Sequence, residues 1–259
     1  MIVRYVRLQM FNETFHLYPG EFKHLQVMRK RFPLDLKALY ENQVFSVTIE
    51  SDSSLSKVEH IGISVPGFTC FWVPLFDKSR MEWAVEKLTE LGVGAIALYY
   101  SDHCTYNAKQ IKKVSEKDRL DRFVKKIWSA AQQSGNLSPP KIVGVYSISE
   151  LKKDHFTDRS YGWTVAGKQI IHVNEIPFLQ RSVDRNEIKN LLDDRLTHFV
   201  IGPEGDFSDS EIKFLSNIKW GCMSRSTILR SETALLAVAA QLQDRWLPSL
   251  YLFSEGIHE

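Results

Sequence analysis

Residues 199–212 read FVIGPEGDFSDSEI, an apolar run followed by a proline, a carboxylate and two glycines and then a polar segment. Phe199, Val200 and Ile201 suit a buried strand. Ser208 with Glu211 three residues later forms a capping-box signature for a following helix. The loop between them is therefore Gly202 to Phe207. Its glycines permit positive φ or close approach of backbone to a ligand. Pro203 stiffens the bend and removes one amide donor. In open α/β sheets, ligands collect beyond the carboxyl ends of the strands. Two readings stay open here: an ordinary strand-to-helix turn, or one wall of a ligand site.

Working outward, the same strand-then-helix grammar recurs. FWVPLF (71–76) leads into a helix with Met81, Val85, Leu88 and Leu91 on one stripe. AIALYY (95–100) leads through a basic segment into a helix over 119–133. Its apolar face carries Leu120, Phe123, Val124, Ile127 and Ala131, and another face carries Arg119, Arg122, Lys126, Ser129 and Gln133. YGWTVAG (161–167) and HFVIG (198–202) supply further strands. Short apolar strands alternating with amphipathic helices imply a mainly parallel, helix-covered sheet in an α/β fold. Residues before 67 differ. IVRYVRL, VFSVTIES and EHIGISV, with turn signals at Pro19-Gly20 and SDSSLS, read as a small barrel-like β domain ending near Pro66-Gly67. The expected division is 1–67 and 68–259.

A second signal lies in MSRSTILRSETALLAVAAQLQDRW, residues 223–246. Ser231 can cap a helix in which Ala234 to Ala240 leave almost no polar face, so burial all round is expected, inside the domain or at a subunit interface. Arg230 at its entrance costs desolvation unless it faces a site or pairs with a carboxylate such as Glu232.

Other classes are excluded. The chain has no GxxxxGK[ST] phosphate loop, no GxSxG nucleophile elbow, and a Gly92-Val-Gly94 that precedes a strand where a dinucleotide fingerprint follows one. Eight scattered histidines and three widely spaced cysteines offer neither a metal site nor a disulfide framework. No apolar run reaches membrane-spanning length, and a cytoplasmic location is expected. Net charge is +2, but Lys109 to Lys126 concentrates eight lysines and arginines. That stretch reads either as a solvated helix face or as a nucleic-acid footprint.

HLQVMRKR (24–31), RMEWAVEKLTELGV (80–93), AAQQSGNLSPPKI (130–142), IGPEGDFSDSEI (201–212) and ILRSETALLA (228–237) together resemble one family. It is the bacterial 16S ribosomal RNA (uracil-N3) methyltransferases of the SPOUT superfamily. The resemblance covers nearly the whole chain, and IGPEG followed by ILRxETA is its most specific part. It implies a PUA-like β-barrel that helps hold RNA, a trefoil-knot domain binding S-adenosylmethionine, and a homodimer formed through the knot. It implies a cofactor site at Ala166, Gly167, Ile201, Gly202, Pro203, Glu204, Gly205, Ser224, Thr227, Ile228, Leu229 and Thr233. Arg230 would stabilise a uracil anion, and Glu204 would orient its loop or act on the proton. RNA contacts fall to His24, Arg29, Arg31, Arg80, Arg119, Arg122, Lys126 and Gln133, with 16S RNA or the small ribosomal subunit as partner and no metal. The chain departs from the family pattern at His103, Gln132-Gln133 with Asn136, Asp206, and Ser224-Arg225. Two alternatives accompany this reading: a catalytically silent RNA-binding protein of the same fold, and a methyltransferase of that fold acting on another RNA base.

Overall fold

The structure, a computed structural model, describes residues 4–65, 67, 69–104, 116–148, 160–163, 197–214, 219–221, 229–246 and 251–252. The chain divides into two compact units. One comprises Met1–Val65, Trp128–Ser138 and Pro248–Glu259, and the other Pro66–Ile127 and Pro139–Leu247.

The first unit is built on β1 (Tyr5–Phe11), β2 (Thr14–Leu17), α1 (Glu21–Val27), β3 (Leu34–Tyr40), β4 (Gln43–Ile49), β5 (Leu55–Ile63) and a late strand, β12 (Tyr251–Leu252). The sheet order is β12-β5-β4-β3-β1-β2. β1 and β3 run parallel and every other neighbour pair antiparallel. Asn12 and Glu13 both take positive φ in the two-residue turn between β1 and β2, the backbone that matches strand twist in a tight hairpin. The sheet curls until β2 meets β5. Val6, Leu8, Leu25, Ala38, Phe45, Val47 and Ile49 fill the space it encloses with α1. A polar knot sits beside this core. Arg7 pairs with the buried Glu21 at 2.6 Å, and its guanidinium lies 4.4 Å from the Tyr18 ring centroid and 5.1 Å from that of Trp128. Gln132 donates to the other Glu21 oxygen at 2.7 Å.

The second unit carries β6 (Thr69–Pro74), α2 (Lys78–Glu90), β7 (Ala95–Tyr100), α3 (Glu116–Ser134, of which 116–127 belong here), β8 (Lys141–Ser147) and β9 (Ser160–Trp163). β10 (Thr197–Ile201), α4 (Asp209–Phe214), β11 (Lys219–Gly221) and α5 (Ser231–Trp246) follow. The sheet order is β11-β9-β10-β6-β7-β8, and every described pair is parallel. Its strands are apolar on both faces because both faces are covered. Phe71, Val73, Ile96, Leu98, Phe199 and Ile201 point into one core; Cys70, Trp72, Ala97, Tyr99 and Val200 point into the other. Met81, Ala84, Val85 and Leu88 of α2 close the first face, together with Phe123 and Ile127 of α3 and Leu235, Val238 and Ala239 of α5.

Two expectations change. Val124 lies on the outside of α3, 40% exposed, because the buried arc is narrower than the apolar pattern and centres on Phe123 and Ile127. α5 is not buried all round within one chain: Leu235 is fully buried, but Leu236 and Ala237 are half-buried and Thr233 and Ala240 are exposed. One stripe suffices to seat the helix on the sheet.

Candidate functional site

From β6 the chain proceeds outward through β7 and β8, whereas β10, β9 and β11 occupy the other side of β6. Neighbouring strands whose onward connections diverge leave a crevice at their carboxyl ends. β6 and β10 are such a pair. Phe71 and Phe199 face each other in register and stack at 5.2 Å within the core these strands share.

The loop after β10 forms one lip. Gly202 and Pro203 are buried and Glu204 and Gly205 exposed. The Asp206 amide donates to the Pro203 carbonyl at 2.9 Å, closing a turn in which Asp206 holds φ 59°. Aspartate tolerates that left-handed backbone better than most residues, and its Oδ1 accepts the Phe207 amide at 3.0 Å. The Asp206 side chain thus supplies a local hydrogen bond to a turn whose left-handed backbone favours glycine. Ser208 and Glu211 form the expected capping box: Glu211 accepts the Ser208 amide at 2.9 Å, and Ser208 Oγ accepts the Glu211 amide at 3.4 Å.

The segment after β7 braces this lip. Glu211 also accepts the Asp102 amide at 2.9 Å, and Ser208 Oγ donates to Asp102 at 2.8 Å. His103 Nδ1 reaches the carbonyls of Gly205 (3.1 Å) and Asp206 (2.9 Å). Both partners are acceptors, so Nδ1 carries the proton and Nε2 is left outward-facing. A Cβ on Gly205 would meet the His103 Cβ at 2.7 Å, which is why glycine stands there. The fully buried Tyr99 donates its hydroxyl to the Ile201 carbonyl and stacks on Phe207, and burial pushes its pKa well above the usual phenol value. Burial likewise pushes the Cys70 thiol up to about 12 and raises that of Cys104, so both are inert thiols.

The opposite lip is the first turn of α2. Asp77 caps it, accepting the Arg80 amide at 3.1 Å and the Ser79 hydroxyl at 2.7 Å. These bonds, with the Arg80 side chain, hold the Asp77 carboxyl well below the usual carboxylate range. Arg80 pairs with Asp77 and with Glu204, and lies 3.7 Å from Glu232. Asp77 first, then Glu204, raise its pKa further above the ordinary guanidinium value.

α5 starts behind these lips. Ser231 is the first helical residue and does not cap: among the described residues its fully buried hydroxyl has no hydrogen-bond partner, nor has Glu232 Oε2, while the Arg230 carbonyl accepts the Ala234 amide at 2.9 Å. Arg230 is exposed and makes no ion pair among the described residues. Glu232 turns to Arg80, so the alternative Arg230–Glu232 pair does not form.

Of the expected site residues, Ile201 and Leu229 share one core, Gly202 to Gly205 follow β10, and Arg230 and Thr233 are exposed at the start of α5, where Arg80 links Glu204 to Glu232. Ala166, Gly167, Ser224, Thr227 and Ile228 lie outside the described residues, as do Lys112, Lys113 and Arg225. His24, Arg29 and Arg31 are exposed on α1 and just beyond it, in the first unit. Arg122 and Lys126 pair with Glu82 (3.1 Å) and Glu86 (2.7 Å) of α2. Gln133 donates to Ser129 at 3.2 Å, and for Arg119 only the backbone, within α3, is described. Asp77 and Tyr99 are not among the expected residues, and Glu211 is expected only as a helix cap, not as the acceptor of the Asp102 amide. An aspartate just before the α2 stripe was a readable cap signal; the contacts of Tyr99 and of Glu211 with Asp102 span about a hundred residues and leave no local trace.

A parallel α/β sheet with a glycine-bearing loop at its switch point defines a ligand-binding α/β domain. The family profile described as RNA methyltransferase domain matches residues 69–243, and the chain belongs to that family. It is similar to the ribosomal RNA small subunit methyltransferase E of Rickettsia conorii, 25% identical over 174 residues, a match spanning 66% of this chain and 62% of that protein. Two solved structures share the fold. Ribosomal RNA small subunit methyltransferase E from Neisseria gonorrhoeae, bound to S-adenosyl methionine, is 19% identical over 95% of this chain and 98% of that one, with a TM-score of 0.69. The putative methyltransferase Lpg2936 from Legionella pneumophila, in complex with the cofactor SAM, is 20% identical over 94% and 98%, with a TM-score of 0.70. Among the described residues no helix is long and apolar enough to cross a membrane, and no cluster of His, Cys, Asp or Glu is arranged to hold a metal.

Proposed function

We propose that the chain is an S-adenosylmethionine-dependent methyltransferase acting on N3 of a uridine in 16S ribosomal RNA, working as a homodimer through a knotted second domain. The family match, the name of the Rickettsia relative and the cofactor in the two solved structures support this reading. The observation that carries it is the pair of orphaned acceptors at the start of α5. Among the described residues Ser231 Oγ and Glu232 Oε2 are buried without partners, and Glu232 shares Arg80 with Glu204 of the β10 loop. Buried acceptors left bare cost stability, so the site fits a ligand rich in N–H and O–H donors and positive charge. S-adenosylmethionine is such a ligand, and when bound it supplies an electrophilic methyl group on a sulfonium.

The protein's own part follows from what its groups are free to do. A uracil N3 attacks only after losing its imide proton, and the resulting charge spreads onto two carbonyl oxygens. Arg230, exposed and unpaired among the described residues, is the cation assigned to that charge. Glu204 is already committed to Arg80, which favours its loop-orienting role over a proton-accepting one. A paired uracil hides N3, so the base must be unpaired or extruded. The curled first unit is assigned as the PUA-like barrel, with His24, Arg29 and Arg31 gripping phosphates. Gln133 and the Arg119, Arg122 and Lys126 face of α3 are weaker candidates, because Arg122 and Lys126 already meet carboxylates. The half-buried Leu236 and Ala237 and the exposed Ala240 of α5 offer an apolar strip for the second copy.

Calorimetry with S-adenosylmethionine tests the cofactor assignment. Saturable micromolar binding is expected, and absence of heat at millimolar cofactor would select the catalytically silent alternative. Arg230→Ala should retain cofactor binding and lower single-turnover methylation by roughly a hundredfold, the size typical of a lost anion-stabilising donor.

A further inference from the structure

Arg80 stands where three chain segments converge. It is the third residue of α2, its guanidinium rests 5.7 Å from the Phe76 ring, and its side chain is only 25% exposed. It reaches Asp77 on its own cap, Glu204 on the β10 loop 124 residues away, and Glu232 in the first turn of α5 at 3.7 Å. Three carboxylates around one guanidinium give the cluster a local charge of about −2 at neutral pH. A phosphate approaching Arg80 would meet that field and would have to displace carboxylates already holding the fork. The geometry that makes Arg80 a poor RNA contact makes it a good brace. Glu204 is 38% exposed and sits at the tip of a loop whose neighbours Gly202 and Gly205 resist bending little by themselves.

We infer that Arg80 is a positioning residue: its guanidinium fastens Glu204, and with it the Gly202–Gly205 loop, to the first turns of α2 and α5. The fork matters here, since Nε meets Asp77 while Nη1 meets Glu204, and a lysine presents one point charge where arginine presents separate donors. The bracing rests on contacts within the second unit; its consequence for cofactor binding rests on the function proposed above.

Hydrogen exchange of the full chain, read by mass spectrometry over the peptide containing residues 200–208, tests the brace without any ligand. The reporters are the amides of Asp206, Phe207 and Ser208, which donate to the Pro203 carbonyl, Asp206 Oδ1 and Glu211 in the loop that Glu204 anchors. Arg80→Gln and Glu204→Gln should each speed their exchange roughly three- to tenfold, the size of a partly exposed charge-assisted pair. The double variant should be no faster than either single one, because the same bond is lost. Arg80→Lys should recover part of the protection. Unchanged exchange in Glu204→Gln, whose exposed side chain is replaced without disturbing the core, would overturn the inference even if Arg80→Gln fails to fold.

Cofactor calorimetry and RNA titration against salt then separate the two roles. The brace predicts that Arg80→Gln weakens S-adenosylmethionine binding by a similar factor and leaves the slope of log affinity against log salt unchanged. A slope smaller by about one with unaltered cofactor affinity would make Arg80 an RNA contact and overturn the inference. If the natural sequence binds no cofactor, the proposed function fails while the exchange data still judge the brace.

Discussion

Replacing Asp206 separates backbone geometry from charge at the lip of the crevice. Its φ of 59° would cost an ordinary L-residue about 1–2 kcal/mol, an expense glycine escapes. Against that relief, Asp206→Gly forfeits the 3.0 Å bond from the Phe207 amide, about 0.5–1.5 kcal/mol, and adds unfolded-chain freedom of about 0.5–1 kcal/mol. The terms nearly cancel, so Asp206→Gly should lie within about 0.5 kcal/mol of the natural protein. Asp206→Ala keeps the backbone cost and loses the bond, and should be destabilised by about 1–2 kcal/mol, or roughly 2–6 °C in Tm for a chain of this size. Asp206→Asn keeps both the tolerated backbone and the acceptor. It should match the natural stability while binding a cationic cofactor slightly less well, by less than tenfold, since only the charge is gone. Denaturant unfolding at matched m-values, with calorimetry alongside, reads all three. Equal losses for the glycine and alanine variants would show that the left-handed backbone is not what the residue is there to satisfy.

Two further outcomes follow from the packing. Tyr99→Phe removes the hydroxyl from the Ile201 carbonyl without opening a cavity, and should cost about 1–2 kcal/mol in denaturant unfolding; a neutral result would mean that bond does not form in solution. Glu86 is held below its usual carboxylate pKa, first by the hydrogen bond from Lys126 and then by that from Lys87. A carboxyl whose folded pKa is depressed stabilises above its unfolded value, and that stability is lost as pH falls through the folded one. Lys126→Ala should therefore cost about 0.5 kcal/mol near neutral pH, with the difference from the natural protein vanishing as the pH falls through the depressed Glu86 pKa. A gap that persists in acid would point to lost packing of the lysine stem.

Much of the second unit can be read from residues alone, for a physical reason. β6, β7 and β10 are buried on both faces, so they appear as unbroken apolar runs, and α2 buries one stripe, so Met81, Val85 and Leu88 recur at helical spacing. The capping box at Ser208 and Glu211 is equally local. The short α1 escapes the reading because seven residues carry too little helical period, whereas β3, with Leu34, Leu36 and Ala38 inward and Asp35 and Lys37 outward, alternates legibly and is simply absent from the expected strands. The return of Trp128–Ser138 to the first unit is hidden too. Trp128 and Ala131 meet Arg7 and Tyr5, partners more than a hundred residues earlier. At the site, the glycines and proline of the β10 loop announce themselves. The pairing of Glu204 with Arg80 does not, since a charged residue in a sequence does not show whether its counter-charge will be a phosphate or a distant carboxylate.

The decisive experiment incubates the purified protein with small ribosomal subunits or 16S RNA lacking the modification, together with S-adenosylmethionine, and digests the RNA for nucleoside mass spectrometry. 3-Methyluridine should accumulate with time and be strongly reduced by Arg230→Ala. A methyl group on any other base, or no methylation by a protein that binds the cofactor, would contradict the proposed function.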